Sequence, residues 1–343
     1  MTARVFISAT GNGLARAAQS AAGTFQVETL LAGVDVCCLA VDPLDGKRVY
    51  AGGNTAGVLR SDDQGKTWQS MGQVGYPVKA IAASPTQRNV VYAGVRPAML
   101  FVSTDAGLTW SELHAFRRIP WRRLWFSPAE KPFRAYIQGI APSPTDPQRI
   151  VAGVELGATV VSSDGGQSWT GHRPGSLRDC HSLAFHASNG AWVYEGGGSH
   201  GGAAFSQDGG LTWINAGPGL DRHYGWAVAA DSGDPSIWYV SVSPGPGKAH
   251  GSQNAEAAIF RRDGAGWRKL SGGLPQPLAH MPYALLTDPG KAGVLYAGLS
   301  NGDLWCSLDY GEQWEQLPVS LGGIHRALVM LDVQAPTQTG RNP

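Results

Sequence analysis

Three segments carry the side chains best able to move protons: Arg222-His223-Tyr224-Gly225-Trp226, His280-Met281-Pro282-Tyr283 and Arg178-Asp179-Cys180-His181. Each sets a group that titrates near neutrality beside a phenol or a carboxylate, the material of general acid and base catalysis. His223, Tyr224, His280 and Tyr283 are the candidate catalytic residues. Arg134, Tyr136, Arg178, Arg326, Trp226 and Arg96 add guanidinium forks and aromatic faces that suit a small anionic, sugar-like or carboxylate-bearing ligand. His181, His223, His280 and His325 would supply imidazoles to a divalent metal, Zn²⁺ or Mn²⁺, with a carboxylate from Asp179, Glu155 or Glu195. Their spacing matches no Cys-x-x-Cys or His-Glu-x-x-His pattern, so ordinary hydrogen-bonded histidines are the competing reading.

These residues are separated by a repeated phrase, and the phrase dictates how they are positioned. Ser61-Asp62-Asp63-Gln64-Gly65-Lys66-Thr67-Trp68 recurs at 103–110, 162–169, 206–213 and 307–314, with a worn copy at 261–267. Ser-x-Asp-x-Gly-x-x-Trp spells a turn. The carboxylate can accept backbone N–H groups across the bend, glycine supplies positive φ, and tryptophan anchors the next strand. The copies are about 42 to 59 residues apart, the period of a β-propeller blade.

Between the copies a second text repeats: Val49-Tyr50-Ala51-Gly52, Val91-Tyr92-Ala93-Gly94, Ile150-Val151-Ala152-Gly153 and Leu295-Tyr296-Ala297-Gly298. Runs of small and β-branched residues precede these, separated from them by Asp-Pro or Ser-Pro turns. The unit is therefore strand A, turn, strand B, loop, strand C, the Asp turn, and strand D. Six marked units leave both chain ends over. Residues 326–332 read as a strand A without a sequel, and 5–14 match strands B and C of the last marked unit. A seventh blade built from both ends closes the ring and removes its open edges. The expectation is an all-β, seven-bladed propeller in a single domain over 1–334, with a disordered tail from 335, six blades being the alternative.

The phrase resembles the BNR or Asp-box repeat, and the chain is similar to sialidase-like and xyloglucanase-like propellers and to photosystem II assembly factor propellers. That resemblance implies that the box sits on the turn between strands C and D and pins the fold, away from any catalytic face. It also implies a range of activities: glycosidases, receptors and assembly factors share the fold.

If the boxes lie on one face, the loops leading into strand A and the B–C loops lie on the other. Those loops hold Asp35, Tyr76, Lys79 and Gln138 besides the candidates above, and Asn54, Glu155, Glu195, His200, Lys248 and His250. Six of the nine histidines fall there, around the mouth of a central channel. The lengthened loops, 111–134 and 243–257, fall on the same face, which marks it as the working one. Segment 116–126, Phe-Arg-Arg-Ile-Pro-Trp-Arg-Arg-Leu-Trp-Phe, would dock a protein partner or stack on sugars, or would fold onto the ring as a lid.

Composition narrows the classes. Net charge +1 argues against a globally basic nucleic-acid binder, and no run of about 18 apolar residues suits a membrane span. Four cysteines, two of them adjacent, form no disulfide framework, and the absence of a signal-peptide core fits a cytoplasmic protein. Three functions remain: a channel-mouth lyase or hydrolase, with or without a metal; a non-catalytic scaffold or assembly factor; and a glycosidase using two of Asp35, Glu155, Asp179 and Glu195.

Overall fold

A computed structural model describes residues 3–129, 131–198 and 201–332. His200 and the expected tail from 335 lie outside the described residues. Seven antiparallel sheets follow one another around a ring, six of four strands and one of three. Blade 1 comprises Val36–Asp42, Asp45–Gly53, Gly57–Ser61 and Gln69–Ser70. The innermost strands of blades 2 to 6 are Val78–Ala83, Ile137–Pro142, Cys180–Phe185, Tyr224–Ala230 and Pro282–Thr287.

Blade 7 is the one the two chain ends were expected to build. Leu328–Asp332 pairs antiparallel with Arg4–Ala9, Arg4 opposite Asp332 and Ser8 opposite Leu328, and Leu14–Gln19 and Phe25–Leu30 complete the sheet. Arg4 also pairs with Asp288 of blade 6. The three-stranded sheet is blade 3, where Thr170 caps Val161 through its backbone N–H and its hydroxyl in place of a regular outer strand.

The repeated Tyr-Ala-Gly of strand B has a packing cause. Tyr50, Tyr92, Tyr194 and Tyr296 are buried between blades, as are Ala51, Ala93, Ala152 and Ala297. The glycine then makes room for the next blade. A Cβ on Gly52 would stand 2.5 Å from a Val78 methyl, and one on Gly94 would stand 2.4 Å from Ile137. Glycine costs strand stability, so its recurrence here records a close approach of neighbouring sheets.

The box turns are built as their residues require. In five copies the Ser hydroxyl donates to the Asp carboxylate and accepts the box Gly N–H at 2.8–2.9 Å. The carboxylate accepts a second backbone N–H four residues on, at 2.8–3.0 Å. The Trp indole N–H closes the turn on the box Gly carbonyl. These bonds hold Asp105 and Asp164 down to about 2. The worn copy keeps only a hairpin turn, with Asp263 capping the N–H of Ala265. Among the described residues no helix is long and apolar enough to cross a membrane.

Candidate active site at the channel mouth

The innermost strand of each of blades 1 to 6 breaks register near its start. The irregularities fall between Val36 and Cys38, Val78 and Ala80, Ile137 and Gly139, Cys180 and Ser182, Gly225 and Val228, and Pro282 and Ala284. A bulge leaves one residue outside the ladder and re-aims its side chain. The residues displaced are Cys37, Lys79, Gln138, His181, Trp226 with Ala227, and Tyr283. Blade 7 reaches the same level with Arg326, whose φ of 73° is left-handed and strained for a residue with a side chain. Cys37, Lys79, Gln138, His181, Tyr283 and Arg326 all line a channel of about 220 Å³. A neighbouring pocket on the same inner strands is walled by Val41, Pro43, Pro85 and Pro142 together with His186 and is mostly apolar.

At blade 4 this ring meets two carboxylates. Glu155, just past strand B of blade 3, Asp179 and His181 bring one ligand atom each to within 4.8 Å of one another, and all three are buried. His181 Nδ1 hydrogen-bonds the Gly225 carbonyl at 2.8 Å, which makes it the N–H donor and leaves Nε2 facing Glu155 Oε2 and Asp179 Oδ1, each at 3.6 Å. Asp179 Oδ1 is buried without a hydrogen-bond partner. The His181 ring lies against Trp226 and Tyr224, centroids 4.5 and 4.9 Å away.

Burial, and then the Asp179 charge, push Glu155 up to about 8. Asp179 sits below its ordinary value: burial opposes this, but the neighbouring imidazole outweighs it. His181 is raised against its own burial by the two carboxylates.

A hydrogen-bonded chain runs beside this group. The lengthened B–C loop of blade 5 carries a short helix, Pro246–Ala249, whose C-terminal cap is His250. The loop is tied down by the Lys248–Glu256 ion pair at 2.5 Å and by the Ser243 hydroxyl on the Ala255 carbonyl at 2.7 Å. His250 Nε2 meets the Tyr224 hydroxyl at 2.8 Å and Nδ1 meets the Tyr283 hydroxyl at 2.6 Å. Burial, and then Arg326, push His250 down to about 4, so it is a neutral imidazole between two phenols. Burial raises both phenols above their ordinary value.

Of the residues singled out from sequence, Tyr224, Tyr283, Trp226, His181 and Arg326 come together here, with the Arg326 guanidinium 5.9 Å from the Trp226 ring. His223 and His325 are exposed and His280 is half-buried near Ser300, and none of the three joins the Glu155–Asp179–His181 group. Of the four histidines considered for a metal, only His181 stands with Glu155 and Asp179 in a cluster of potential ligand groups among the described residues, because the bulge turns its side chain toward them. Tyr136 is buried under Lys79, whose Nζ is 5.5 Å from the ring. Arg134 and Arg178 are exposed at the rim, and Arg96 is half-buried at the blade 2 loop.

His250, which the sequence reading set only among the mouth histidines, stands between the two tyrosines. Its signal was the length of its loop.

The carboxylates expected for a glycosidase take separate roles. Glu195 is fully buried beneath the Thr159 hydroxyl, at 2.5 Å, and the Leu177 N–H, at 2.9 Å, while Asp35 is held by Asn54. Burial pushes Glu195 up to about 7.

The 116–126 insertion is half lid and half surface. Phe116 and Ile119 are buried, Phe116 edge-on to Trp169 at 5.2 Å, whereas Trp121 is 80% and Leu124 74% exposed. With Pro120, Trp125, His172 and Arg178 these two exposed side chains border a groove of about 820 Å³.

Seven blades, five of them carrying an intact Ser-x-Asp-x-Gly-x-x-Trp turn after strand C, make a β-propeller with Asp-box turns. Residues 59–70 match the BNR/Asp-box repeat model. Solved structures with the same fold include the GH74 xyloglucanase from Xanthomonas campestris, 19% identical with a TM-score of 0.63 over 91% of this chain and 46% of that one. An ancestral GH74 enzyme is 21% identical with a TM-score of 0.62 over 82% of this chain and 38% of its own. YCF48 bound to a D1 peptide is 16% identical with a TM-score of 0.55, covering 82% and 80%. The chain thus spans less than half the length of the GH74 enzymes it resembles. No curated protein matches it by sequence.

Proposed function

We propose that the channel mouth is the active site of a lyase or hydrolase acting on a small carboxylate-bearing, sugar-like molecule. The observation that carries this reading is the Tyr224–His250–Tyr283 chain, which ends at the channel wall where Lys79 and Arg326 also stand. The two cations neutralise the ligand carboxylate, which makes the neighbouring C–H more acidic. The Tyr283 oxygen takes that proton as its own passes to the neutral His250, whose basicity the bound carboxylate restores by offsetting the Arg326 charge that helps to depress it. The C–H electron pair becomes the new double bond, and the C–O bond breaks. The proton held on His250 then returns through Tyr283 to the leaving oxygen, so one relay serves as base and acid. In a hydrolase the proton taken would come from water, and its oxygen would bond to the carbon instead.

The two-carboxylate glycosidase fits less well. Glu155 and Asp179 form one group in mutual contact, whereas glycosidase carboxylates stand about 5 Å or more apart across the bond they cleave.

A panel of oligouronates and aryl glycosides tests the reading, with double-bond absorbance reporting elimination and reducing ends reporting hydrolysis. Tyr283→Phe should cut turnover by at least about 100-fold and leave the melting temperature nearly unchanged. If every substrate fails, or Tyr283→Phe turns over like the wild type, the reading is wrong. The exposed Trp121 and Leu124 favour a second reading, a scaffold that binds a protein segment along the groove, in line with the peptide-bound neighbour.

A further inference from the structure

We infer that Glu155, Asp179 and His181 hold a divalent transition-metal ion, Zn²⁺ or Mn²⁺, at the rim of the channel. The inference deepens the reading of the mouth as a ligand site and rests on it for purpose, but its readout, bound metal, is separate from turnover.

Four features of the geometry converge. First, the Gly225 carbonyl fixes His181 with Nδ1 as the donor, the arrangement in which a metal-binding imidazole presents its Nε2 lone pair forward. Second, that lone pair faces two carboxylate oxygens, each at 3.6 Å. A proton shared between these atoms would draw them to about 2.7–2.9 Å. A tetrahedral ion about 2.0–2.1 Å from each ligand would instead hold them about 3.4 Å apart. The two Nε2–oxygen spacings are closer to those of atoms around an ion than to a short shared-proton contact.

Third, Asp179, 8% exposed, directs into this same space an Oδ1 that makes no hydrogen bond and has only the His181 Nε2, at 3.6 Å, as a possible cationic neighbour. A buried anionic oxygen left without a partner is costly unless a cation supplies one. Fourth, the strand end Glu195-Gly196-Gly197 and Gly198 after it pass over the group without a side chain in the way. A Cβ on Gly198 would stand 2.1 Å from Asp179 Oδ2, 2.9 Å from His181 Cε1 and 3.0 Å from the Tyr224 ring. Glycine is required there because the carboxylate and imidazole occupy the space a side chain would take.

One nitrogen and two oxygens leave a coordination position open, the pattern of a catalytic ion more than of a structural one. That position would suit the ligand carboxylate opposite Arg326. The donor set is mixed and hard enough for Zn²⁺ or Mn²⁺, whereas Ca²⁺ would need six or more oxygens.

The test uses the tag-free chain, stripped with chelator, dialysed and titrated separately with Zn²⁺ and Mn²⁺ by calorimetry, with plasma mass spectrometry for stoichiometry. The expected result is one ion per chain, with affinity reduced at least about 100-fold in Asp179→Asn and in His181→Gln and unchanged in His325→Ala. Gly198→Ala should weaken binding without removing a ligand atom. Should the ligand variants fail to fold, anomalous scattering from Zn²⁺-loaded wild-type crystals locates the ion directly. No saturable binding, binding that survives Asp179→Asn and His181→Gln together, or an anomalous peak elsewhere overturns the inference. Each of these outcomes leaves the Tyr283→Phe test of turnover standing.

Discussion

The Asp boxes and the channel mouth use the same chemical group in opposite circumstances. A box aspartate such as Asp208 is exposed, and every lone pair it turns inward is met by the Ser206 hydroxyl, the Thr212 N–H and the Thr212 hydroxyl. At the mouth, Asp179 and Glu155 are buried against each other, and Asp179 has an oxygen with no partner. A carboxylate surrounded by donors lowers its own free energy and pins a turn. One placed beside another carboxylate raises it, and such groups cluster at functional sites. The boxes hold the ring together, and the mouth is where the proposed chemistry is placed.

The comparison is broken most strongly on the box side. Gly65 has φ of 81°, and a Cβ there would stand 2.3 Å from Ile7 Cδ1, across the seam where blade 7 closes on blade 1. Gly65→Val should lower stability by roughly 3 kcal/mol, strain and overpacking combined, as read by urea unfolding. A mouth glycine such as Gly198, by contrast, should cost binding before it costs stability.

A smaller effect lies between the two regions, in Glu195. Burial raises its folded value to about 7 from an ordinary 4.5, so the folded state holds a proton that the unfolded state has released. Its contribution to stability is complete below the unfolded value and is lost as the pH rises through about 7. The melting temperature should therefore fall between about pH 5 and about pH 8. Glu195→Gln should flatten that decline, and an unchanged slope would remove Glu195 as its source.

Much of this could be read from the sequence because it is local. The box is a contiguous phrase whose hydrogen bonds join residues two to four apart, so its structure follows from its text. Ring closure was legible for the same reason, since residues 5–14 repeat the wording of blade 6 and needed only a strand A, which 326–332 supply. That the loops entering strand A and the B–C loops share one face followed from antiparallel order.

What failed was side-chain direction at the mouth. His181 points inward because Cys180 and Ser182 straddle a register break, and the sequence carries no mark of a bulge. His223, one residue before its strand, points outward. Glu155 and Asp179 meet from different blades, 24 residues apart in the chain, and no spacing rule connects them. His250 reaches Tyr224 and Tyr283 only because a four-residue helix turns its loop back over the channel.

The central claim is that box carboxylates stabilise the ring whereas mouth carboxylates do so only with a guest. Parallel thermal melts of chelator-treated Asp208→Asn and Glu155→Gln at about pH 9 test it most directly, because Glu155, titrating at about 8, is then charged in its buried site. Asp208→Asn should lose about 1 kcal/mol, discounted for exposure, while Glu155→Gln should melt at or above the wild-type temperature. A Glu155→Gln protein that melts as far below wild type as Asp208→Asn would contradict the account and make Glu155 one more structural carboxylate.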